Sequence, residues 1–200
     1  MTLARVASVP VVAFVVLVGV WLAGGVLTND FELSMGLVAV WFVVAGATAL
    51  LIGWRYRWLR VPVIGTYLLT AAVIGGFLLI TTARDKTVNE TVVTSGVVAR
   101  GTFVSGAHHT EGNAALARGG RVLTLTRFET SPGPDVRVYL TAARVGSNGS
   151  AGEYVDLGGL KGNRGNQQYD IPAGVQIDKY RNVVIWCRAF SVNFGEAALR

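Results

Sequence analysis

Residues 9–27 read VPVVAFVVLVGVWLAGGVL, residues 35–54 read MGLVAVWFVVAGATALLIGW, and residues 62–81 read PVIGTYLLTAAVIGGFLLIT. None of the three runs holds a charged side chain. About 20 apolar residues suffice to carry a helix across a ~30 Å hydrocarbon core, so each run is long enough to span a bilayer. A single run of this kind could be a buried helix of a soluble core, but three in succession point to a membrane. The first run exceeds the ~7–15-residue core of a secretory signal and is followed by two more spans, so it is read as an uncleaved helix.

Working outward, the charges divide the chain. Residues 1–83 hold four Arg, no Lys and two acids, Asp30 and Glu32, whereas residues 84–200 hold the remaining fourteen basic and ten acidic residues. The whole-chain mean hydropathy of +0.47 averages over these two regimes. The expected organisation is a three-helix transmembrane anchor over 1–83, a polar linker over 84–95 and a β domain over 96–200. Basic and acidic residues are interspersed in the distal part, without a cationic run to track phosphates, so nucleic acid is not an expected partner. The lipid bilayer is.

The loops orient the helices. The first, 28–34, carries Asp30 and Glu32 and no cation; the second, 55–60, carries Arg55, Arg57 and Arg60. Lys and Arg in short loops are retained on the cytoplasmic side, which places the second loop and Arg5 inside and the first loop outside. Arg84 and Lys86, after the third span, argue mildly the other way. Trp54, Tyr56 and Trp58 among the arginines fit an interfacial aromatic belt. The expectation is a multi-pass plasma-membrane protein with a cytoplasmic N-terminus and an extracytoplasmic C-terminal domain. The spans contain no ionisable residue, the usual mark of an ion or proton path, which argues against a pump or transporter. Gly24, Gly25, Gly46, Gly75 and Gly76 are read as points of close helix approach.

Beyond Arg84, β-branched residues recur in short runs bounded by turn formers. Strands are expected at 92–104, 114–118, 121–128, 136–142, 154–157, 168–171 and 183–194. Turn signals lie at Gly119-Gly120, Ser131-Pro132-Gly133-Pro134-Asp135, Ser147-Asn148-Gly149-Ser150 and Gly162-Asn163-Arg164-Gly165. This pattern predicts an all-β, sandwich-like domain. Val136, Val138 and Leu140 alternate against Arg137, Tyr139 and Thr141. The last run is apolar on both faces, which predicts a central strand covered on both sides.

Cys187 is the sole cysteine of the chain, and His108 and His109 are its only histidines. An unpaired Cys in an oxidising setting is either a free reactive thiol, an intermolecular partner or a buried apolar residue. His108 and His109 are candidate metal ligands, alone or with Cys187, but as strand neighbours they would point to opposite faces. A blue-copper set would also want a Met near them, and both methionines lie in the membrane part. No zinc, haem-attachment, hydrolase or phosphate-loop motif is present. The run from Gly158 to Gly165 lies between strands rather than before a helix, so it reads as a turn. The cofactor is unknown.

Several ordered segments carry a resemblance. They are Gly101-Thr102-Phe103 with His108 or His109 and Gly112; Gly133-Pro134-Asp135-Val136 with Tyr139-Leu140; and Asp156-Leu157-Gly158 leading to Leu160-Lys161-Gly162-Asn163. Next come Gly165, Gln167, Tyr169 and Ile171-Pro172, then Val184-Ile185-Trp186-Cys187, Phe190-Ser191-Val192 and Phe194-Gly195. Over about 96–199 the chain resembles the DM-thirteen domain, an electron-transfer-type domain of Skeletor and DOMON-containing proteins. The resemblance implies a β-sandwich-like fold and a redox role for the cysteine of the Trp-Cys pair, here Cys187. It also implies an envelope redox or protein partner. The alternative function is a non-enzymatic binding or adhesive β-module at the cell surface.

Overall fold

The computed structural model describes residues 2–28, 31–146 and 150–200. Asp30 of the acidic loop and residues 147–149 of one expected turn lie outside the described residues. The chain divides into two compact units, Met1–Ile80 and Thr81–Arg200.

The first unit is built from three helices, α1 (Thr2–Gly25), α2 (Phe31–Arg55) and α3 (Arg60–Ala83). Each is long and apolar enough to cross a membrane. All three begin before the apolar runs that predicted them, because backbone hydrogen bonding continues into the polar flanks. Glu32 thereby falls in the first turn of α2 and Arg55 in its last, where each charge complements the helix dipole. Most large apolar side chains face outward: Val61 is 80% exposed, Trp54 76% and Val43 72%. Water would not tolerate such an apolar surface over three helices, whereas lipid tails would.

Contacts between helices are local and specific. The Trp41 indole donates to the Val16 carbonyl at 3.2 Å, and its ring lies where a Cβ on Gly19 would stand. Tyr67 donates to the Phe42 carbonyl at 2.7 Å, and a Cβ on Gly46 would sit 2.8 Å from its hydroxyl oxygen. Gly46 therefore serves the close approach expected of it, while Gly75 and Gly76 face open space. Arg5 Nε donates to the Trp58 carbonyl at 2.9 Å, which puts the start of α1 and the α2–α3 turn at one end of this unit.

The second unit is a curled, mixed nine-stranded sheet, a sandwich-like half-barrel. Its strands are β1 (Thr87–Asn89), β2 (Ala99–Ser105), β3 (Thr110–Ala117), β4 (Val122–Thr130), β5 (Val136–Thr141), β6 (Tyr154–Gly159), β7 (Arg164–Asp170), β8 (Asn182–Cys187) and β9 (Val192–Ala198). Their order is β1-β7-β4-β3-β2-β9-β8-β5-β6. Among the described residues, only β1 and β7 pair in parallel. The curl is made by β2: its first half, to Thr102, pairs with β3, and its second half, from Phe103, pairs with β9.

Local chemistry explains the connections. Arg118 and Gly119 both take positive φ, +48° and +61°, and Gly120 N–H donates to the Ala117 carbonyl at 3.0 Å. This is the mirror-image tight turn that suits the twist of a hairpin. Bulges at Glu111/Asn113 in β3 and Leu125/Phe128 in β4 bend the sheet.

Two strand expectations need correction. The run 92–104 is not one strand, since β2 begins only at Ala99. The run 183–194 is a hairpin: β8 ends at Cys187, a turn intervenes, and β9 starts at Val192. Apolar content alone conceals a turn whose φ-positive residue is Ser191 rather than Gly.

The main core holds Leu123, Leu125, Phe128, Val138, Leu140, Val183, Ile185 and Phe194, all almost free of solvent contact. Phe103 and Phe128 meet edge to face at 5.2 Å. A second apolar cluster, Tyr139, Val184, Trp186 and Ala151 with Val145 beside it, lies against β5 and β8. All six residues of β8 are buried.

Candidate functional site

Cys187 ends β8, opposite Val136 of β5 and Val192 of β9. Its side chain has no solvent exposure. Burial pushes the thiol up to about 11, because a thiolate there would lose its hydration. Backbone hydrogen bonds from Phe190, Asp135 and Ala189 pull the other way without reversing the shift. These donors come from the β8–β9 turn and the segment before β5, so the hairpin folds its amides around the sulfur. Arg188, the next residue, is directed elsewhere: its Nε donates to Asp135 Oδ2 at 2.6 Å. At neutral pH the group is an uncharged, enclosed thiol, the opposite of the exposed low-pKa cysteine that attacks disulfides.

The two histidines lie in the β2–β3 connection and differ in surroundings. The His108 ring lies 4.0 Å from that of Phe194, and burial pushes its pKa below the ordinary histidine value. His109 is exposed, with Nε2 3.7 Å from Glu111 Oε2. Among the described residues, no three His, Cys, Asp or Glu side chains gather into a cluster able to hold a metal ion.

Many of the ordered motif residues have structural tasks. Tyr169 donates to Gln167 Oε1 at 2.8 Å, Gln167 Nε2 donates to the Gly162 carbonyl at 2.8 Å, and Lys161 N–H donates to the Tyr169 hydroxyl at 3.0 Å. Lys161 Nζ donates to Glu90 at 2.8 Å. Asn163 Nδ2 donates to Asp85 Oδ1 at 2.8 Å and to the Thr130 carbonyl at 3.0 Å, while its Oδ1 accepts from Lys86 N–H at 2.6 Å. The turn after β6 thus spends its polar groups inside the domain. Burial of the Tyr169 phenol pushes it up to about 12.

Two features escaped the sequence reading. The first is an aromatic stack. Tyr139 and Tyr154 lie face to face with centroids 4.2 Å apart and planes at 14°, and Tyr139 and Trp186 are stacked at 6.5 Å and 23°. Tyr139 is 2% exposed, Trp186 7% and Tyr154 47%. Alternation along β5 sets Tyr139 opposite the core face, but Ala151 and Trp186 cover that side. Burial, reinforced by the Asp156 charge, pushes the Tyr139 phenol up to about 12. Arg137 pairs with Asp156 at 2.7 Å beside it.

The second is a cavity of about 500 Å³ against β2, β3 and β4, lined by Thr102, Asn113, Thr124, Thr126, Arg100 and Arg127 among others. Arg127 holds a positive φ of 49° at the β4 bulge, and its N–H donates to Asn166 Oδ1 at 2.9 Å. No motif spacing could have revealed a cavity assembled from three strands.

No curated protein and no solved structure matches the chain. Residues 102–199 match the family described as Electron transfer DM13. The segment that matches runs from β2 to the end of β9 and includes Cys187, both histidines and the aromatic stack, so residues 102–199 form a DM13 electron-transfer domain.

Proposed function

We propose that this protein is a membrane-tethered electron-transfer module in which α1–α3 span the bilayer, the DM13 domain lies outside the cytoplasm, and Cys187 is the redox group. The observation that carries the reading is the setting of Cys187: the chain's one thiol, fully enclosed at the end of β8, inside a domain of the electron-transfer type. Exclusion of water is one of the means by which proteins tune the potential of a buried redox centre, as at cysteine-held iron–sulfur clusters. The enclosure favours electron exchange through the protein over disulfide exchange, which needs a reachable thiolate.

The orientation rests on the charge asymmetry of the first unit. Arg5, Arg55, Arg57 and Arg60 are its only cations, and the Arg5–Trp58 hydrogen bond links the first of them to the turn that bears the others. Cations gathered at one end favour that end on the cytoplasmic side. An odd number of spans then sends the domain outside.

The test is protein-film voltammetry of the full chain in lipid nanodiscs, with Cys187→Ser in parallel. A faradaic signal that disappears in the variant supports the reading; an unchanged signal removes Cys187 from it. Protease shaving of intact cells, detected through a C-terminal tag, reports the side on which the domain lies.

A second reading has its own observation. The cavity bearing Arg100 and Arg127, with Thr and Asn side chains around it, suits an anionic ligand at a cell-surface binding module. Silent voltammetry together with saturable binding of an acidic oligosaccharide, lost in Arg100→Ala/Arg127→Ala, would favour it.

A further inference from the structure

We propose that Trp186, Tyr139 and Tyr154 form a one-electron relay between the interior end of β8 and the domain surface. The inference rests on the electron-transfer reading above but not on Cys187 being its redox group. Indole and phenol side chains, like thiols, are able to lose and regain one electron without a cofactor. Here three of them stand in consecutive stacks, 6.5 Å and 4.2 Å between centroids. Their exposure rises at the outer end, from 7% at Trp186 and 2% at Tyr139 to 47% at Tyr154. Trp186 is covalently next to Cys187, so the inner end of the stack begins at the residue beside the thiol.

Core packing alone explains the two buried rings. The β5–β6 register sets Tyr154 diagonal to Tyr139 on the same face of the sheet, and its ring, nearly half exposed, lies at 14° to that of Tyr139 and carries the stack to the surface. Stacked aromatic faces place their π systems in direct contact. The 4.2 Å stack joins Tyr154 to Tyr139 face to face, and a 6.5 Å step, short enough for electron hopping, joins Tyr139 to Trp186.

Electrons and protons balance along this path. An external high-potential one-electron oxidant, of the metal(III)-complex class, takes an electron from the Trp186 indole, is itself reduced by one electron, and leaves the indole radical cation. One electron passes from Tyr154 across the Tyr139 ring and restores Trp186. Tyr154 gives its phenolic proton to water and becomes a neutral phenoxyl. An external hydrogen-atom donor of the ascorbate or hydroquinone class then returns the phenoxyl to the phenol. The Tyr139 proton stays in place, because its ring serves only as the bridge. The direction is set by proton release: the exposed phenol can hand its proton to water, while the inner rings are shut off from it.

The experiment is laser photoionisation of the tryptophans in the detergent-solubilised full chain, with a cobalt(III) ammine capturing the ejected electron. Time-resolved absorption then tracks the tryptophanyl and tyrosyl radicals. Subtracting the Trp186→Phe trace removes the contribution of the four tryptophans in the helical unit, Trp21, Trp41, Trp54 and Trp58. The expected result is a Trp186-dependent tryptophanyl signal that converts into a tyrosyl signal quenched by ascorbate. In Tyr154→Phe the ring and its shielding remain but the electron source is gone, so the tyrosyl signal disappears and the Trp186 radical persists. Tyr139→Leu, checked for folding by its near-ultraviolet dichroism, blocks the conversion with Tyr154 still present. No Trp186-dependent tyrosyl signal in the wild type, or the same conversion in Tyr154→Phe, overturns the relay. Voltammetry keeps the relay and the thiol apart. A Cys187-dependent faradaic signal without radical conversion overturns the relay and leaves the electron-transfer reading standing. Radical conversion with a faradaic signal unchanged in Cys187→Ser supports the relay and removes the thiol from that reading.

Discussion

Cys187 illustrates how a single residue's chemistry is set by its neighbours rather than by its type. The thiol's ordinary value of 9.0 applies to the unfolded chain, and burial raises it to about 11 in the folded one. The folded state therefore keeps the proton to higher pH. The contribution of the neutral buried thiol is complete below pH 9 and is lost as pH rises towards 11. Cys187→Ala has no such titration. Between pH 9 and 11 the wild type is expected to lose stability relative to this variant by on the order of 2 kcal/mol, as read by urea unfolding. Tyr139 and Tyr169 titrate in both proteins, so their effects cancel in the difference. The native thiol should also resist an aromatic disulfide reagent at pH 8 and react only after unfolding; rapid labelling of the folded protein would contradict the enclosure. Tyr169→Phe leaves the Gln167 carbonyl oxygen without its phenol donor and the Lys161 amide without its acceptor. Its expected cost is about 1–3 kcal/mol, measured by the same unfolding curves.

At the scale of elements, side-chain size at the helix contacts decides which glycines matter. Gly19→Ala drives a methyl group into the Trp41 indole and is expected to cost about 1–3 kcal/mol. Gly75→Ala meets open space and is expected to be neutral or stabilising by up to about 1 kcal/mol, through helix propensity. Thermal melting in one detergent compares the two; equal midpoints would show that the α1–α2 contact is not tight. In the β domain, the alternation of β5 was legible, but its consequence was not. Val138 and Leu140 face the main core as expected, while Tyr139 on the opposite side is just as buried. A residue's face is set by period two; whether that face is wet depends on whether another segment covers it. Residues close to β5 in space, Ala151 and Trp186, are far from it in sequence.

The whole molecule is two units suited to different solvents, and the boundary between them has structural content. The polar segment 84–95, read from the sequence as a linker, supplies β1 and the side chains of Asp85 and Glu90, which engage Asn163 and Lys161. A fragment beginning at residue 84 is therefore expected to melt several degrees above one beginning at residue 96, by circular dichroism. The shorter one loses a strand and two anchored carboxylates, each contact worth about 1 kcal/mol. Equal melting temperatures would mark 84–95 as dispensable.

The sequence by itself determined the three long apolar helices, the β-rich character of the C-terminal domain, and the motif order that identifies a DM13 domain. Each of these is local: twenty uncharged residues, a period of two, a turn residue at a set spacing. It also singled out Cys187, by scarcity. Only the tertiary structure decided that this thiol is enclosed, at the end of β8 between β5 and β9. It alone split the last apolar run into a hairpin, gave Arg100 and Arg127 a shared cavity, and laid Tyr154 on Tyr139 and Tyr139 beside Trp186. The reason is physical. Solvent exclusion, a pKa and a ring stack depend on which groups are brought near from distant parts of the chain, and that proximity arises from strand order and register, which no short window of sequence contains.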